Sequence, residues 1–502
     1  MAARRVIAEV SRQPGTAVKV RTRVVSRPRD LTGRGLIASA SWMTGSHLVA
    51  QAFAYGSLIF LARRLPPASF GTVAVGTAVV YIATLLVERG TYGAIMVHPR
   101  LTRAYLVRTF WRCFLIGAAL AAAMAASAGP LVGTFAGGRD APAVALLAVC
   151  LPLHAISVTP TALLHKSMQF RRLAGATAAA NIASAAVAVA AVLAGAGVWS
   201  LVARQVVLFA LLAVLTTALC LPGLRHRSAL PYPSGAHEHD RTGDRWFFLF
   251  GATMMLAANI DYLIVGLSSD ASLVGLYALA FTIAMAPSTQ FSEQVGKVLF
   301  AAAASSPETS GERTVQSVRL MSALLLPMLP AGILLAPVVL PAVLGPQWVG
   351  MVVAFQVLWV AGIGYAIDNC IGEALSGIGH IAFRAKVMAA RCIATALALW
   401  VLVSIDGIRG AALAHLVVFV PYVAVYATVG ARLAGTTARD LWHAVRPIVA
   451  AVGWQVTVTF SMLFPLRASG TSDSVAVCAA VAAGLAACGV SLLRPFVRRR
   501  SQ

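Results

Sequence analysis

Apolar residues occur along this chain in about fourteen stretches of roughly 20 to 28 positions, each ended by a short polar or Pro/Gly-rich gap. At about 1.5 Å per residue such a stretch crosses a hydrocarbon core of about 30 Å with some tilt, so each reads as a transmembrane helix. The stretches fall at about 36–62, 70–88, 107–136, 142–164, 173–195, 198–221, 246–268, 273–300, 316–344, 349–373, 384–404, 408–431, 444–464 and 474–493. The pattern predicts an all-α, polytopic membrane protein.

The gaps are of two alternating kinds. Of the 40 Lys and Arg, roughly 34 fall in or beside every second gap, 5 in the gaps between and 1 inside a stretch. The rich gaps hold Arg4 to Arg34, then Arg89, Arg100, Arg103 and Arg108, then Lys166, Arg171 and Arg172, and finally Arg498, Arg499 and Arg500. The poor gaps hold Arg63, Arg64, Arg139, Arg409 and Arg467. Basic loops face the cytoplasm, so both termini of a multi-pass membrane protein are expected there.

This distribution changes the meaning of the net charge of +23 and pI near 10.9. A basic balance ordinarily suggests nucleic acid, but these charges flank spans and form no stripe, so no nucleic-acid partner is expected. At 59% hydrophobic and 11% charged, the chain departs far from a soluble protein's charged share of about 25%. The first 35 residues are polar, basic and aperiodic, which predicts a disordered cytoplasmic arm able to lie on anionic lipid. The first apolar stretch is too long for a signal peptide and lacks a small-residue cleavage site, so it is expected to stay in the protein. The seven cysteines stand singly in apolar surroundings and read as small buried hydrophobes. His237, Glu238 and His239 lack further ligands and sit in a Pro/Gly/Ser loop, so no metal site is expected.

A repeat of low resolution runs through the chain. ASFGTVA at 68–74 and SLVGLYA at 272–278 each open the second span of a half, about 204 positions apart. Gly195 to Trp199 before span six compares with Asp406 to Gly410 before span twelve, about 210 apart, and Gln169 to Arg172 echoes Ala382 to Lys386. Six spans is an even number, so both halves enter from the same side and the repeat is parallel, with its pseudo-twofold axis along the membrane normal. The predicted organisation is a basic arm over 1–35, an N-lobe over 36–221, a linker over 222–245, a C-lobe over 246–432, and two further spans with a basic tail over 433–502.

Ser69-Phe70-Gly71 with Glu88-Arg89-Gly90, PTALLHKSMQFRR at 160–172, GAGVWSLVARQ at 195–205, NIDYLIVG at 259–266 with VGLYALA at 274–280, and LGPQW at 344–348 carry a resemblance. In that order they resemble the bacterial polysaccharide transporter family, lipid-linked oligosaccharide flippases of the multidrug/oligosaccharidyl-lipid/polysaccharide exporter superfamily. The similarity runs over about 36–432. It implies two six-helix lobes forming a V around a cavity that opens alternately to each side, usually with two extra spans. It also implies a polyprenyl-linked oligosaccharide as substrate and no cofactor.

A flippase breaks no bond, so the residues to seek are ionisable and polar groups at membrane depth. His47, Gln51 and Tyr55 recur every four residues on one face of span one, where they line a cavity or hydrogen-bond within the bundle. Arg204 is the one basic residue assigned to no loop or span end. It is placed roughly 9 Å inside the outer boundary and needs a partner: a substrate phosphate, the outer surface, or a carboxylate such as Asp261. Arg63 and Arg64 break the charge rule, as interface anchors or as receivers of a departing head group. Gln290, Glu293, Gln294 and Lys297 share a spacing of i, i+3, i+4 and i+7 in span eight. With Asp368, Asn369 and Glu373 in span ten, they read either as solvated helix ends or as a gate or ion-coupling site, and Asp261 reads as structural first.

No phosphate-cradling GxxxxGK[ST] loop is present, so the chain is not expected to hydrolyse nucleotide or to be an enzyme. Two rivals remain: a multidrug/cation antiporter of the same superfamily, and a membrane polysaccharide polymerase or ligase. The second would need a large outer loop, whereas every outward gap is about a dozen residues or fewer. The expected partners are the lipid-linked substrate and membrane lipids, with a polymerase or other assembly machinery left open, and the protein is expected to be monomeric.

Overall fold

The computed structural model describes residues 33–88, 91, 95, 101–133, 140–167, 169–225, 241–468 and 471–500. Nearly all of the expected basic arm, most of the expected linker with His237, Glu238 and His239, and the side chain of His47 lie outside the described residues. By contacts the chain forms two compact units, Met1–Gly45 and Ser46–Gln502. The described part of the first is helical from Gly33. The second holds the rest of that helix and every later element.

Helix α1 is Gly33–Arg64, α2 Pro67–Glu88 and α3 Arg103–Gly133. Helix α4 is Ala141–Lys166, α5 Phe170–Leu193 and α6 Trp199–Arg225. Three helices then carry breaks. Helix α7 runs as Arg241–Ala257 and Ile260–Ser268, and α9 as Ser310–Leu325 and Met328–Leu344. Helix α8 passes from Ala271–Ala284 through a π turn at Pro287–Ser292 to Glu293–Ser305. Helix α10 is Val352–Gly377, α11 381–405, α12 408–433, α13 Ala438–Ala468 and α14 Asp473–Arg500.

Twelve of the described helices are long and apolar enough to span a membrane. One, Ile381–Leu433, holds 53 residues, about twice what a bilayer needs. It breaks at Asp406 and Gly407, where Gly407 has φ 50° and ψ −127°, a conformation that favours glycine. A Cβ on Gly410 would collide with the carbonyl of Leu402. Residues eight apart on one straight helix lie about 12 Å from each other, so the chain has folded back on itself here and crosses twice. Counted as two, it raises the candidates to thirteen, and α1, 32 residues long, covers the first of the fourteen predicted stretches. Helix α9 begins before its apolar stretch because a polar first segment, with Glu312, Arg313 and Arg319, continues the same backbone hydrogen-bonding.

Two bundles form. In the first half α5 and α4 pack on α6, and α3 and α2 on α4; in the second, α10 packs on α8, α9 and the α11–α12 hairpin, which also holds α7. Helices α13 and α14 pair with each other and dock on α9, where the Gln455 amide donates to the Pro327 carbonyl at 2.9 Å. That carbonyl sits at the break in α9, beside the helix rather than within it.

The halves meet mainly at α2 and α8. A Cβ on Gly71 would strike the carbonyl oxygen of Ala271, and one on Gly275 would strike that of Pro67. Gly71 and Gly275 are 204 positions apart, as are Pro67 and Ala271, and 204 is the offset of the sequence repeat, so the contact is reciprocal about a pseudo-twofold axis between the two glycines. Only a residue without Cβ lets the helices approach this closely.

Candidate functional site

Just inside the α2–α8 contact lies a cavity of about 390 Å³ between the halves. Leu58 of α1, Phe70, Thr77 and Tyr81 of α2 and Arg204 and Gln205 of α6 line one side; Asn259, Tyr262 and Thr282 line the other. The Gln205 amide donates to the Tyr81 hydroxyl at 3.1 Å, while Asn259 is turned back onto the Met255 carbonyl at 2.8 Å. Arg204 is half-buried beside the Tyr81 phenol. Among the described residues it makes no ion pair and no side-chain hydrogen bond. A cation in such a place costs about 2.5–3.5 kcal/mol unless something anionic or aqueous meets it. Asp261 does not: it faces the other way.

At the arginine-poor ends of α1 and α9, two helix C-termini cap each other. The last carbonyls of a helix have no partner of their own. Arg63, at the end of α1, supplies one to α9 by donating from Nε to the Val343 carbonyl at 2.6 Å and from Nη2 to the Ala342 carbonyl at 2.7 Å. In return the Ala62 carbonyl of α1 accepts from Gln347 Nε2 at 3.0 Å and from the Trp348 indole at 2.9 Å. Trp348 is fully buried, with Phe70 edge-on at 5.2 Å. Arg63, exposed like Arg64, is thereby hydrogen-bonded to α9 in this conformation. Arg64 is exposed over the Phe60 ring.

The second half holds a charged interior. Asp261, with 0% exposure, accepts from the Tyr277 hydroxyl at 2.9 Å, and that hydroxyl lies 3.1 Å from His415 Nε2. Arg384, 5% exposed, donates to Glu373 at 2.9 Å, Asn369 at 2.8 Å and Ser376 at 2.8 Å, and lies over Phe250. Arg391 stacks at 3.8 Å from the Tyr365 centroid and 5.0 Å from that of Tyr422, within electrostatic reach of Asp368. Asp368 is 4% exposed, so it is no solvated helix end. Glu293 and Lys297 are exposed. Gln290 does not share one α-helical face with them, because the π turn that contains it adds a residue to the turn and rotates the residues before it. It bonds Tyr55 of α1 instead. Gln51 is half-buried, and neither it nor Tyr55 lines the cavity; Leu58, three residues on, does.

Arg384 and Arg391 escaped the sequence reading because both sit near the start of a span, where basic residues are common. Their seven-residue spacing puts them on one face, which was the available signal. Tyr81, Gln205, Tyr277 and His415 carried none, since each gains its partner only across helices.

The profile of one known family, described as polysaccharide biosynthesis protein, matches residues 60–353. The chain belongs to this polysaccharide biosynthesis family. Within it and beyond, the chain is similar to the lipopolysaccharide biosynthesis protein WzxC of Escherichia coli K12, at 22% identity over 358 residues, 68% of this chain and 69% of that protein. In fold it is similar to the lipid II flippase MurJ in an inward closed conformation, with a TM-score of 0.67, 10% identity, and coverage of 92% of this chain and 99% of that one. An inward-facing multidrug resistance MATE transporter of the MOP superfamily aligns at a TM-score of 0.50 and 14% identity, over 80% and 95% of the two chains. This member of the polysaccharide biosynthesis family thus shares its fold with the lipid II flippase. The matched region contains the glycine contact, Arg204 and the LGPQW cap together.

Proposed function

We propose that this transporter flips a polyprenyl-(pyro)phosphate-linked oligosaccharide from the cytoplasmic to the outer leaflet of a bacterial inner membrane, for a surface polysaccharide. The observation that carries the reading is Arg204: a cation with no ion pair and no side-chain hydrogen bond among the described residues, in a cavity between two halves that Arg63 ties together at the arginine-poor end. A phosphate arriving there supplies the missing charge while the lipid tail stays in the bilayer. The similarity to WzxC and to the lipid II flippase supports a lipid-linked substrate. With the arginine-rich gaps in the cytoplasm, the tie at the arginine-poor end leaves a state able to load from inside, and release follows when Arg63 lets go of α9. No covalent chemistry is required.

Direction follows from charge. Two negative charges moving outward from a cell that is negative inside gain roughly 2.3 kcal/mol per charge per 100 mV. A multidrug antiporter is the weaker reading, because Arg204 repels the cationic substrates such a transporter takes and the MATE fold aligns less well. Arg204→Ala is expected to abolish surface-polymer accumulation while leaving membrane insertion intact; wild-type polymer levels in that strain would sink the phosphate assignment.

A further inference from the structure

Hydrogen bonding divides the interlobe cavity into a wall whose donors are spent and a wall whose donors are free. On the second-half wall the Asn259 amide gives its hydrogens to the Met255 carbonyl at 2.8 Å and the Met255 sulfur at 3.6 Å. The Thr282 hydroxyl donates to the Ala278 carbonyl at 2.8 Å, which leaves its oxygen as an acceptor for Tyr262. A hydroxyl carries one proton and a side-chain amide two, so these three residues have none left to offer.

The first-half wall differs. Thr77 and Tyr81 stand four residues apart on α2 and so share one face, the face that lines the cavity beside Arg204. Thr77 is half-buried, and its hydroxyl makes no hydrogen bond among the described residues. The Tyr81 hydroxyl accepts from the Gln205 amide at 3.1 Å. Neither that amide nitrogen nor the Arg204 guanidinium has a lone pair to take a proton in return, so the Tyr81 O–H points away from both. A guanidinium and two hydroxyls therefore stand together with protons to give, and no carboxylate lines either wall to receive them. A cation is repelled here, whereas a phosphate brings several charged acceptor oxygens and can meet all three donors.

We infer that Thr77 and Tyr81 bind the phosphate oxygens of the substrate together with Arg204, and that Gln205 is a positioning residue that keeps the Tyr81 hydroxyl turned outward as a donor. The phosphates are then held by α2 and α6 of the first half, without a donor from the wall opposite. The inference rests on the flippase reading above. Calorimetric titration of inorganic pyrophosphate into the full-length protein in nanodiscs tests it. Tyr81→Phe and Thr77→Val are each expected to weaken binding about tenfold, as loss of one hydrogen bond to a charged group implies, while Thr77→Ser keeps its hydroxyl and stays within about twofold of wild type. Thr282→Val and Tyr262→Phe, on the opposite wall, should also stay within about twofold. Gln205→Leu should weaken binding about threefold in the wild-type background and leave it unchanged in Tyr81→Phe, a coupling that a merely structural role does not produce. Wild-type affinity in Tyr81→Phe and Thr77→Val, or an equal loss from the opposite wall, overturns the inference. Arg204→Gln separates it from the reading on which it rests. Binding lost there but kept in Tyr81→Phe and Thr77→Val sinks the two hydroxyls alone; no binding by the wild type, or unchanged binding in Arg204→Gln, sinks the phosphate reading with them.

Discussion

The two halves share a backbone plan and differ in what they put inside it. Gly71 and Gly275 occupy equivalent places at the α2–α8 crossing, and Gly197 and Gly407 both take positive φ just before α6 and within the α11–α12 turn. Inside the first half Arg204 stands beside the Gln205–Tyr81 hydrogen bond with no ion pair among the described residues, while His154 and Glu88 meet at 3.0 Å. Inside the second, Asp261, Asp368, Glu373, Arg384, Arg391 and His415 are matched against one another and against three tyrosines. Close helix contact depends on the absence of a side chain, so the residues that make it stay alike between repeats. Interior polar groups face different tasks and diverge. The lesson is that a lone charge in one repeat and a neutralised cluster in the other are not equivalent, although both sit at membrane depth.

That difference can be broken experimentally. Removing one partner from the matched half should cost most: Asp261→Ala leaves Tyr277 and His415 buried without their acceptor, and a loss of about 3 kcal/mol is expected. Thermal unfolding followed by fluorescence-detected size exclusion reads it. The glycine contact comes next. Gly71→Val and Gly275→Val should each cost about 1–3 kcal/mol by overpacking, and by similar amounts because the contact is reciprocal; unequal values would show that the pseudo-symmetry stops short of energetics.

The latch breaks the symmetry of that contact, since Arg63 and Trp348 have no mirrored counterparts in it. Arg63→Gln removes a charge-assisted cap from the end of α9, worth about 1–2 kcal/mol. Spin labels across the arginine-poor ends of α1 and α9 should report a population opened by roughly tenfold, as about 1.4 kcal/mol implies. Arg64→Gln, an exposed neighbour, should change neither distance nor stability by more than about 0.5 kcal/mol. A comparable opening by both substitutions would remove Arg63 from the latch.

Much of this architecture was written in the hydrophobic pattern. Span number, the 204 offset and the isolation of Arg204 all follow from local composition, because lipid demands long apolar helices and sorts arginine by side. The helix breaks were less visible. The α7 break at 258–259 and the π turn at 287–292 keep spans apolar while redirecting the backbone, and hydropathy is blind to that. The candidate site divides the same way. Arg204 stood out as a charge without local excuse, whereas Asp368 looked like a helix end until α11 brought Arg391 over it. The hydrogen bond from Trp348 to the Ala62 carbonyl spans 286 positions, and no periodicity reports it.

Arg204 has no ion pair among the described residues, on the proposed function, because the substrate supplies one. The most direct test is the initial rate at which proteoliposomes holding the purified transporter flip a polyprenyl pyrophosphate bearing one fluorescent sugar, compared between wild type, Arg204→Gln and Arg204→Lys. Loss of a charged hydrogen bond worth about 1.5–3 kcal/mol predicts a rate roughly 10- to 100-fold lower for glutamine, partial recovery with lysine, and no loss of thermal stability in either. A glutamine variant that flips at the wild-type rate would contradict the account.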